Sequence, residues 1–248
     1  MPTTIPTTTS STRPGSPSAG DAYFETDTKN YIIYDGANWR AYASDGASYS
    51  FPSNSYSGEF DGVADHIDFG TSGFDYTSNF SISGFFKQDD AGFNTLICRR
   101  NGNNGYIIYL NSGDLNFFAN GTNVNFGGSI NTTSWYHFVI THTGSTVTCY
   151  LNGSLLNSGS TTIVSAGSIN FYVGRNNISG AYYLNGFMDE IAVFNRVLTS
   201  NEAFNIYNNK IYLGPSTLWR LENDVTDSFG TNDGTNNGVT FSTTVKPY

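Results

Sequence analysis

The stretch Leu184 to Tyr207, LNGFMDEIAVFNRVLTSNEAFNIY, constrains the fold of this chain more than any other. Phe187 to Phe194 alternates, with Phe187, Ile191 and Val193 interrupted only at Asp189, and reads as a strand packed on at least one face. Asn195 to Leu198 reads as a bend. Thr199 then opens a short helix. With Glu202 it forms a capping box, in which hydroxyl and carboxylate each satisfy a backbone N–H that has no intrahelical acceptor. Ala203, Phe204, Ile206 and Tyr207 give the helix an apolar face. The rest of the chain reads as β, so the expected place for this helix is one end of a sandwich.

Ahead of this stretch lie short alternating runs separated by Asn/Gly turns. Phe80 to Gln88, FSISGFFKQ, puts Phe80, Ile82, Gly84 and Phe86 on one face. Thr95 to Arg100, Tyr106 to Leu110 and Leu115 to Ala119 read as an antiparallel meander. Ser134 to His142, SWYHFVITH, is a further strand. Thr146 to Leu151 and Ser154 to Leu156 flank Asn152-Gly153, a type I′ hairpin signal. Ile169 to Gly174 leads into the opening stretch. After the helix, Thr217 to Leu221 is a strand, followed by a Gly/Asn/Asp loop from Asn223 to Gly238 and by Val239 to Phe241.

The succession Gly186, Asp189-Glu190, Ile191 to Phe194, Leu198-Thr199 and Glu202 resembles the C-terminal signature of laminin-G-like and pentraxin-like domains. Phe60, Asp61, Gly62, Asp65 and Ile67 are similar to that family's early strand pair. Trp135 and His137 match its Trp-x-His strand, and Trp219-Arg220 the strand that follows the helix in pentraxins. The resemblance covers residues 49–248 and implies an all-β fold, a concanavalin A-like jelly-roll sandwich with one short helix.

Two units precede it. Residues 1–20 are a Thr/Ser/Pro-rich arm, expected to be extended and, alone, disordered. Residues 21–48 read as a small β-meander and linker, with runs at Asp21 to Glu25, Tyr31 to Tyr34 and Trp39 to Tyr42. A meander of this size is barely stable by itself. Its pattern, GDAYFETDT followed by YDGANW, resembles a module of bacteriophage tail-fibre and decoration proteins. That resemblance implies attachment to other virion proteins through residues 1–48, a homo-oligomer and a place on the virion surface.

Charge narrows the partners. The chain has 20 acidic and 11 basic residues, a formal net charge of −9. Such a surface repels nucleic-acid phosphates and anionic membranes, so neither is expected as a partner. No long apolar run reads as a membrane span and no charged-then-apolar start reads as a signal peptide, which points to synthesis in the host cytoplasm. Cys98 and Cys149 fall on separate strands and read as buried thiols.

Candidate chemistry is sparse. Glycanases of this jelly roll carry Glu-x-Asp-x-Glu on one strand, which sets alternate carboxylates on one face. The chain has no such run. Asp189 and Glu190 are adjacent and so expected on opposite faces, and His66, His137 and His142 have no local Ser or Cys partner. No catalytic residue is assigned, and a polysaccharide-degrading enzyme is the weakest reading. Pentraxins hold calcium with carboxylates from two loops. The resemblance places those loops at Arg100 to Gly105 and Arg175 to Ser179, where the acidic positions become Asn103-Asn104 and Asn176-Asn177. Neutral amides argue against that metal. Asp224, Asp227 and Asp233 in the C-terminal loop are the alternative calcium ligands, and no other cofactor is expected.

The two amide loops, with Tyr182 and Tyr183, offer amides for hydroxyls and rings for sugar faces. Asn103, Asn104, Asn176, Asn177, Tyr182 and Tyr183 are therefore the candidate glycan-binding residues. The expected function is a structural virion protein, a fibre or head-decoration subunit whose sandwich contacts host-surface glycans. The alternative is a stand-alone glycan-binding, lectin-like module.

Overall fold

The computed structural model describes residues 6–9, 11–18, 21–25, 30–34, 39–41, 54–178, 182–209 and 214–244. The expected Ser/Gly linker Ala43 to Asn54, except Asn54 itself, lies outside the described residues, as do residues 26–29 and 35–38 of the meander and Tyr42. A small sheet comes first: β1 (Thr7–Thr8), β2 (Ala22–Glu25), β3 (Asn30–Tyr34) and β4 (Trp39–Ala41), in that order. The expected meander forms β2 to β4. The arm adds β1, paired in parallel with β2 so that Thr7 faces Phe24.

The larger unit follows as β5 (Ser57–Asp61), β6 (His66–Asp68), β7 (Asn79–Gln88), β8 (Asn94–Asn101), β9 (Asn104–Asn111), β10 (Asp114–Ala119) and β11 (Thr122–Gly127). Next come β12 (Tyr136–Thr143), β13 (Thr146–Leu151), β14 (Ser154–Ser160), β15 (Tyr172–Val173), β16 (Asn185–Phe194) and helix α1 (Ser200–Asn209). The last strands are β17 (Thr217–Trp219), β18 (Thr235–Asn237) and β19 (Thr240–Ser242). They make two antiparallel sheets. A seven-stranded sheet runs β11-β10-β9-β8-β15-β6-β18. An eight-stranded sheet runs β14-β13-β12-β7-β16-β5-β19, with β17 also on β16.

The facing sides of the sheets form the main core. Period-2 alternation puts Phe80, Ile82 and Phe86 of β7, Tyr106, Ile108 and Leu110 of β9, Leu115 and Phe117 of β10, and Phe138 and Ile140 of β12 into it. Trp219 is fully buried and stacks on Phe69 at 3.7 Å. Each such side chain stabilises the sandwich by roughly 1.5–3 kcal/mol of apolar burial.

The helix differs from expectation in its place. It does not plug an end of the sandwich but lies on the outer face of the eight-stranded sheet. There Val139, Ala192 and Phe194 form a second core with Leu198, Ala203 and Ile206, and Leu218 packs beside them. Apolar residues on the outward side of β12 and β16, which flank β7, need a cover, and the apolar stripe of α1 supplies it. The capping box is present as read: Thr199 N–H donates to Glu202 Oε2 at 2.8 Å and Glu202 N–H to Thr199 Oγ1 at 3.2 Å.

β16 also departs from simple alternation. Asp189 pairs with Phe85 and Ala192 with Ser83, so Glu190 and Ile191 together oppose Gly84. Glu190 has a φ of +49°. This is a β-bulge, and its extra residue inverts the parity of the strand. Met188 points into the main core before it, Ile191 and Val193 after it. Phe187, expected on the face of Ile191, is outside, where it meets Trp135 at 6.1 Å and lies under Lys87 Nζ at 4.9 Å.

Candidate functional site

After β15 the chain leaves the sheet at Arg175, and of the excursion that ends at Leu184 residues 175–178 and 182–183 are described. The base of this excursion is closed by Gly174 N–H on Leu96 O at 3.0 Å and Leu184 N–H on Gly174 O at 2.9 Å. Gly174 has a φ of +82°, and a Cβ there would come within 2.5 Å of the Phe60 ring, so only glycine fits. The loop folds onto the outer face of the seven-stranded sheet. Asn177 N–H reaches Cys98 Sγ at 3.5 Å, and Asn177 Nδ2 donates to Arg100 O at 3.1 Å. Cys98, in register with Ile107 and Tyr172, is thereby fully covered. Burial pushes its thiol up to about 11, against the opposing pull of the Asn177 N–H and of Arg100 and Arg175.

On one flank of the loop the outward positions of β8 to β11 build an aromatic–amide shelf. Phe93 stacks on Tyr109 at 4.3 Å with planes 10° apart, and Tyr182 closes on Phe93 at 4.5 Å. Tyr182 remains 49% exposed. The Tyr109 hydroxyl donates to Asn123 Oδ1 at 2.8 Å, and Asn123 Nδ2 donates to Asn116 Oδ1 at 3.1 Å. Asn125 Nδ2 donates to Asp114 Oδ2 at 3.0 Å. The Arg100 guanidinium lies 4.4 Å above the Phe118 ring.

On the other flank His66 meets the rings of Tyr172 at 5.8 Å and Tyr183 at 6.2 Å. Arg175 stands 4.9 Å over Tyr172, and its Nη1 lies 3.3 Å from His66 Nε2. His66 Nδ1 lies 2.8 Å from Ala64 O. A carbonyl only accepts, so Nδ1 carries the proton and Nε2 accepts from Arg175.

The expected glycan residues are distributed over these features. Asn103 and Asn104 stand at the exposed tip of the β8–β9 hairpin, where Gly102 takes a φ of +60° and Asn103 O accepts from Asn120 N–H at 2.8 Å. The two amide loops do adjoin, through Asn177 and Arg100. Asn176 is buried, with Oδ1 accepting from Ile178 N–H at 3.1 Å, so its amide shapes the loop. Tyr182 joins the shelf and Tyr183 the opposite flank. Phe93, Tyr109, Asn116, Asn123, Phe118, Arg100, Arg175, Tyr172 and His66 are additional. A signal for the shelf existed in the alternation itself, since Tyr109 and Phe118 fall on the phase opposite the core residues of β9 and β10.

The expected calcium ligands do not share one site. Asp227 Oδ1 accepts from the N–H groups of Leu218 (3.0 Å), Phe229 (3.0 Å) and Gly230 (2.9 Å), and Oδ2 from Asn232 N–H (3.1 Å). Asp233 Oδ1 accepts from Asp227 N–H at 2.8 Å, and Asp224 Oδ1 from Thr226 N–H at 3.0 Å. These carboxylates organise the loop backbone. Among the described residues no three His, Cys, Asp or Glu side chains gather as a metal would require. Of the acidic pair, Asp189 Oδ2 accepts from Asn54 Nδ2 at 2.6 Å, and Glu190 meets the Arg220 guanidinium at 2.9 Å. His137 is enclosed by Phe85 at 4.4 Å and Tyr207 at 5.9 Å.

Residues 61–203, more than half of the chain, match the laminin-G family model described as the concanavalin A-like lectin/glucanases superfamily. The chain belongs to this superfamily. No curated protein matches its sequence. Among solved structures it is similar to a candidate carbohydrate-binding protein from Bacteroides ovatus, with TM-score 0.60 and 18% identity over 91% of this chain and 70% of that one. It is also similar to the native heptameric SAP-like pentraxin of Limulus polyphemus, with TM-score 0.58 and 13% identity over 76% of this chain and 94% of that one. At these identities what is shared is the fold. In this laminin-G-type jelly roll the covering loop and the shelf are therefore read from their own residues.

Proposed function

We propose that the sandwich is a non-catalytic carbohydrate-recognition module whose ligand lies on the shelf formed by Tyr182, Phe93, Tyr109 and the Asn116–Asn123 amides. The observation that carries this reading is the half-exposed Tyr182 ring, backed by Phe93 and set beside amides already fixed by hydrogen bonds. Sugar rings offer C–H faces to an aromatic plane and hydroxyls to oriented amides, and preorganised partners lower the ordering cost of binding. The likeness to a candidate carbohydrate-binding fold supports it. Glycan-array screening, followed by titration of a hit against Tyr182→Ala, tests it. Losing the ring is expected to weaken binding by about 1–2 kcal/mol, roughly five- to thirty-fold. Equal affinity for wild type and variant, or no glycan bound at all, refutes it.

A second reading concerns residues 1–48. The GDAYFETDT resemblance implies that they join the module to other virion proteins, as part of a homo-oligomeric fibre or head-decoration subunit on the virion surface. Asn201 Nδ2 of α1 donates to Oδ1 of Asp21, the residue before β2, at 3.3 Å, which favours a base that holds the sandwich in a set direction. A chain lacking residues 1–48 is expected to lose incorporation into particles and keep glycan binding. Normal incorporation counts against this role.

A further inference from the structure

The cations of this acidic chain are unevenly neutralised. Lys87 lies 2.5 Å from Asp89, Arg99 3.6 Å from Asp75, Arg196 2.7 Å from Glu202 and Arg220 2.9 Å from Glu190. Among the described residues, Arg100 and Arg175 have no such carboxylate. Both stand on the outer face of the seven-stranded sheet, one on each flank of the covering loop. Both are close enough to Cys98 for their charges to act on its thiol. In a protein with 20 acidic and 11 basic residues, two unpaired guanidinium groups on one face need a reason.

Their donors are mostly open. Arg100 uses Nε and Nη2 on Gly102 O, at 3.1 and 2.8 Å, and among the described residues Nη1 has no acceptor. Among the described residues Arg175 makes one hydrogen bond, through Nη1 to His66 Nε2, and its buried Nε has none. A guanidinium carries five N–H donors and stays charged. Each is instead set over a ring, Arg100 4.4 Å from the Phe118 centroid and Arg175 4.9 Å from that of Tyr172. Partial desolvation without a counter-ion is unfavourable, and a bound anion would offset it with charge-assisted, bidentate hydrogen bonds. His66 Nε2, 3.3 Å from Arg175 Nη1, orients that guanidinium. Asp68, in register beside Tyr172, is held by Asn170 Nδ2 at 2.7 Å and by Gly70 N–H at 2.8 Å.

We propose that the ligand of this face is an acidic glycan, with its carboxylate or sulfate groups taken by Arg100 and Arg175 and its rings by the aromatic shelf. This inference rests on the carbohydrate reading and narrows it to a charge class.

The test is calorimetric titration of the full chain with oligogalacturonate, sulfated dextran, neutral dextran and polyglutamate, at low and at moderate salt. Arg100→Gln, Arg175→Gln and the charge-keeping Arg100→Lys are run beside wild type, each checked for an unchanged melting curve. The expected result is a preference of about tenfold or more for one acidic glycan over neutral dextran, weakening as salt rises. Each Gln variant should lose about fivefold or more, and Arg100→Lys less than Arg100→Gln. The first two titrants tell a carboxylate from a sulfate ligand. Neutral glycan bound as tightly, with the Gln variants unchanged, overturns the acidic preference and leaves the carbohydrate reading standing. Polyglutamate bound as tightly as the acidic glycan overturns the proposal, because charge alone is then recognised. No binding to any glycan on these or on an array overturns both.

Discussion

Replacing Asp227 by alanine asks whether a carboxylate, without a metal, organises the loop that follows β17. Its two oxygens accept four backbone N–H groups, from Leu218, Phe229, Gly230 and Asn232, at 2.9 to 3.1 Å. Asp227 is only 9% exposed, so water replaces few of those acceptors once the carboxylate is gone. At roughly 1 kcal/mol net per bond, discounted for the share that water recovers, the loss is about 3 kcal/mol. In a chain of this size that lowers Tm by about 6–12 °C. Asp227→Asn keeps an acceptor at Oδ1 but turns an amide NH2 toward the Asn232 N–H, so an intermediate loss is expected. The pH dependence has a definite sign. Burial raises the carboxyl, yet the N–H groups of Leu218, Gly230, Phe229 and Asn232 together bring it below its ordinary value. A depressed folded-state pKa contributes stability that is present above the unfolded value, about 3.9, and lost as pH falls through the folded one. The gap between wild type and Asp227→Asn should therefore narrow below about pH 4. Thermal melts by circular dichroism at neutral and acid pH, with and without chelator, read all of this. A shift for Asp227→Ala under about 2 °C refutes the reasoning, as does a chelator that lowers the wild-type Tm as far as the mutation does.

Two further outcomes follow from burial. Ile206→Ala empties a fully buried site between α1 and the eight-stranded sheet and should cost about 2–4 kcal/mol in denaturant unfolding while leaving glycan titrations unchanged. Cys98 and Cys149 are free and buried, with the Cys98 thiol raised to about 11 and that of Cys149 raised by burial alone. A thiol reagent at mildly alkaline pH should leave both untouched in the native chain and modify both after unfolding, since the thiolate is the nucleophile.

Much of the sandwich was legible because period-2 alternation is a local property. β7, β9, β10 and β12 could be read from their own residues, as could the Thr199–Glu202 cap, whose partners are three positions apart. The shelf was less legible. Tyr109, Phe118 and Arg100 come from three strands, and what unites them is the pairing of β8, β9 and β10 together with a loop laid over the sheet. No single segment records either. Tyr182 was found because it stands in that loop among turn residues. Asp224, Asp227 and Asp233 show a different limit. An aspartate in a loop suits a hard cation and a row of backbone amides equally well. Only the backbone N–H donors observed at Asp227 separate the two uses.

The misplaced helix and the misread strand have one cause. If β16 alternated without interruption, Phe187, Asp189, Ile191 and Val193 would share a face, and burying the last two in the main core would drive the Asp189 charge in with them. The bulge at Glu190 removes that conflict. Before it Asp189 and Phe187 point outward, and after it Ile191 and Val193 point inward. The same inversion turns Ala192 and Phe194 outward, where they add to Val139 an apolar surface on the wrong side of the sheet for the main core. That surface is what α1 covers, so the helix belongs over the sheet face. The interruption at Asp189 was visible in the sequence. Its meaning was not, because a charged residue in an alternating run marks equally a bend, a tolerated outward position or a change of parity, and only the left-handed φ of Glu190 and its ion pair with Arg220 decide which.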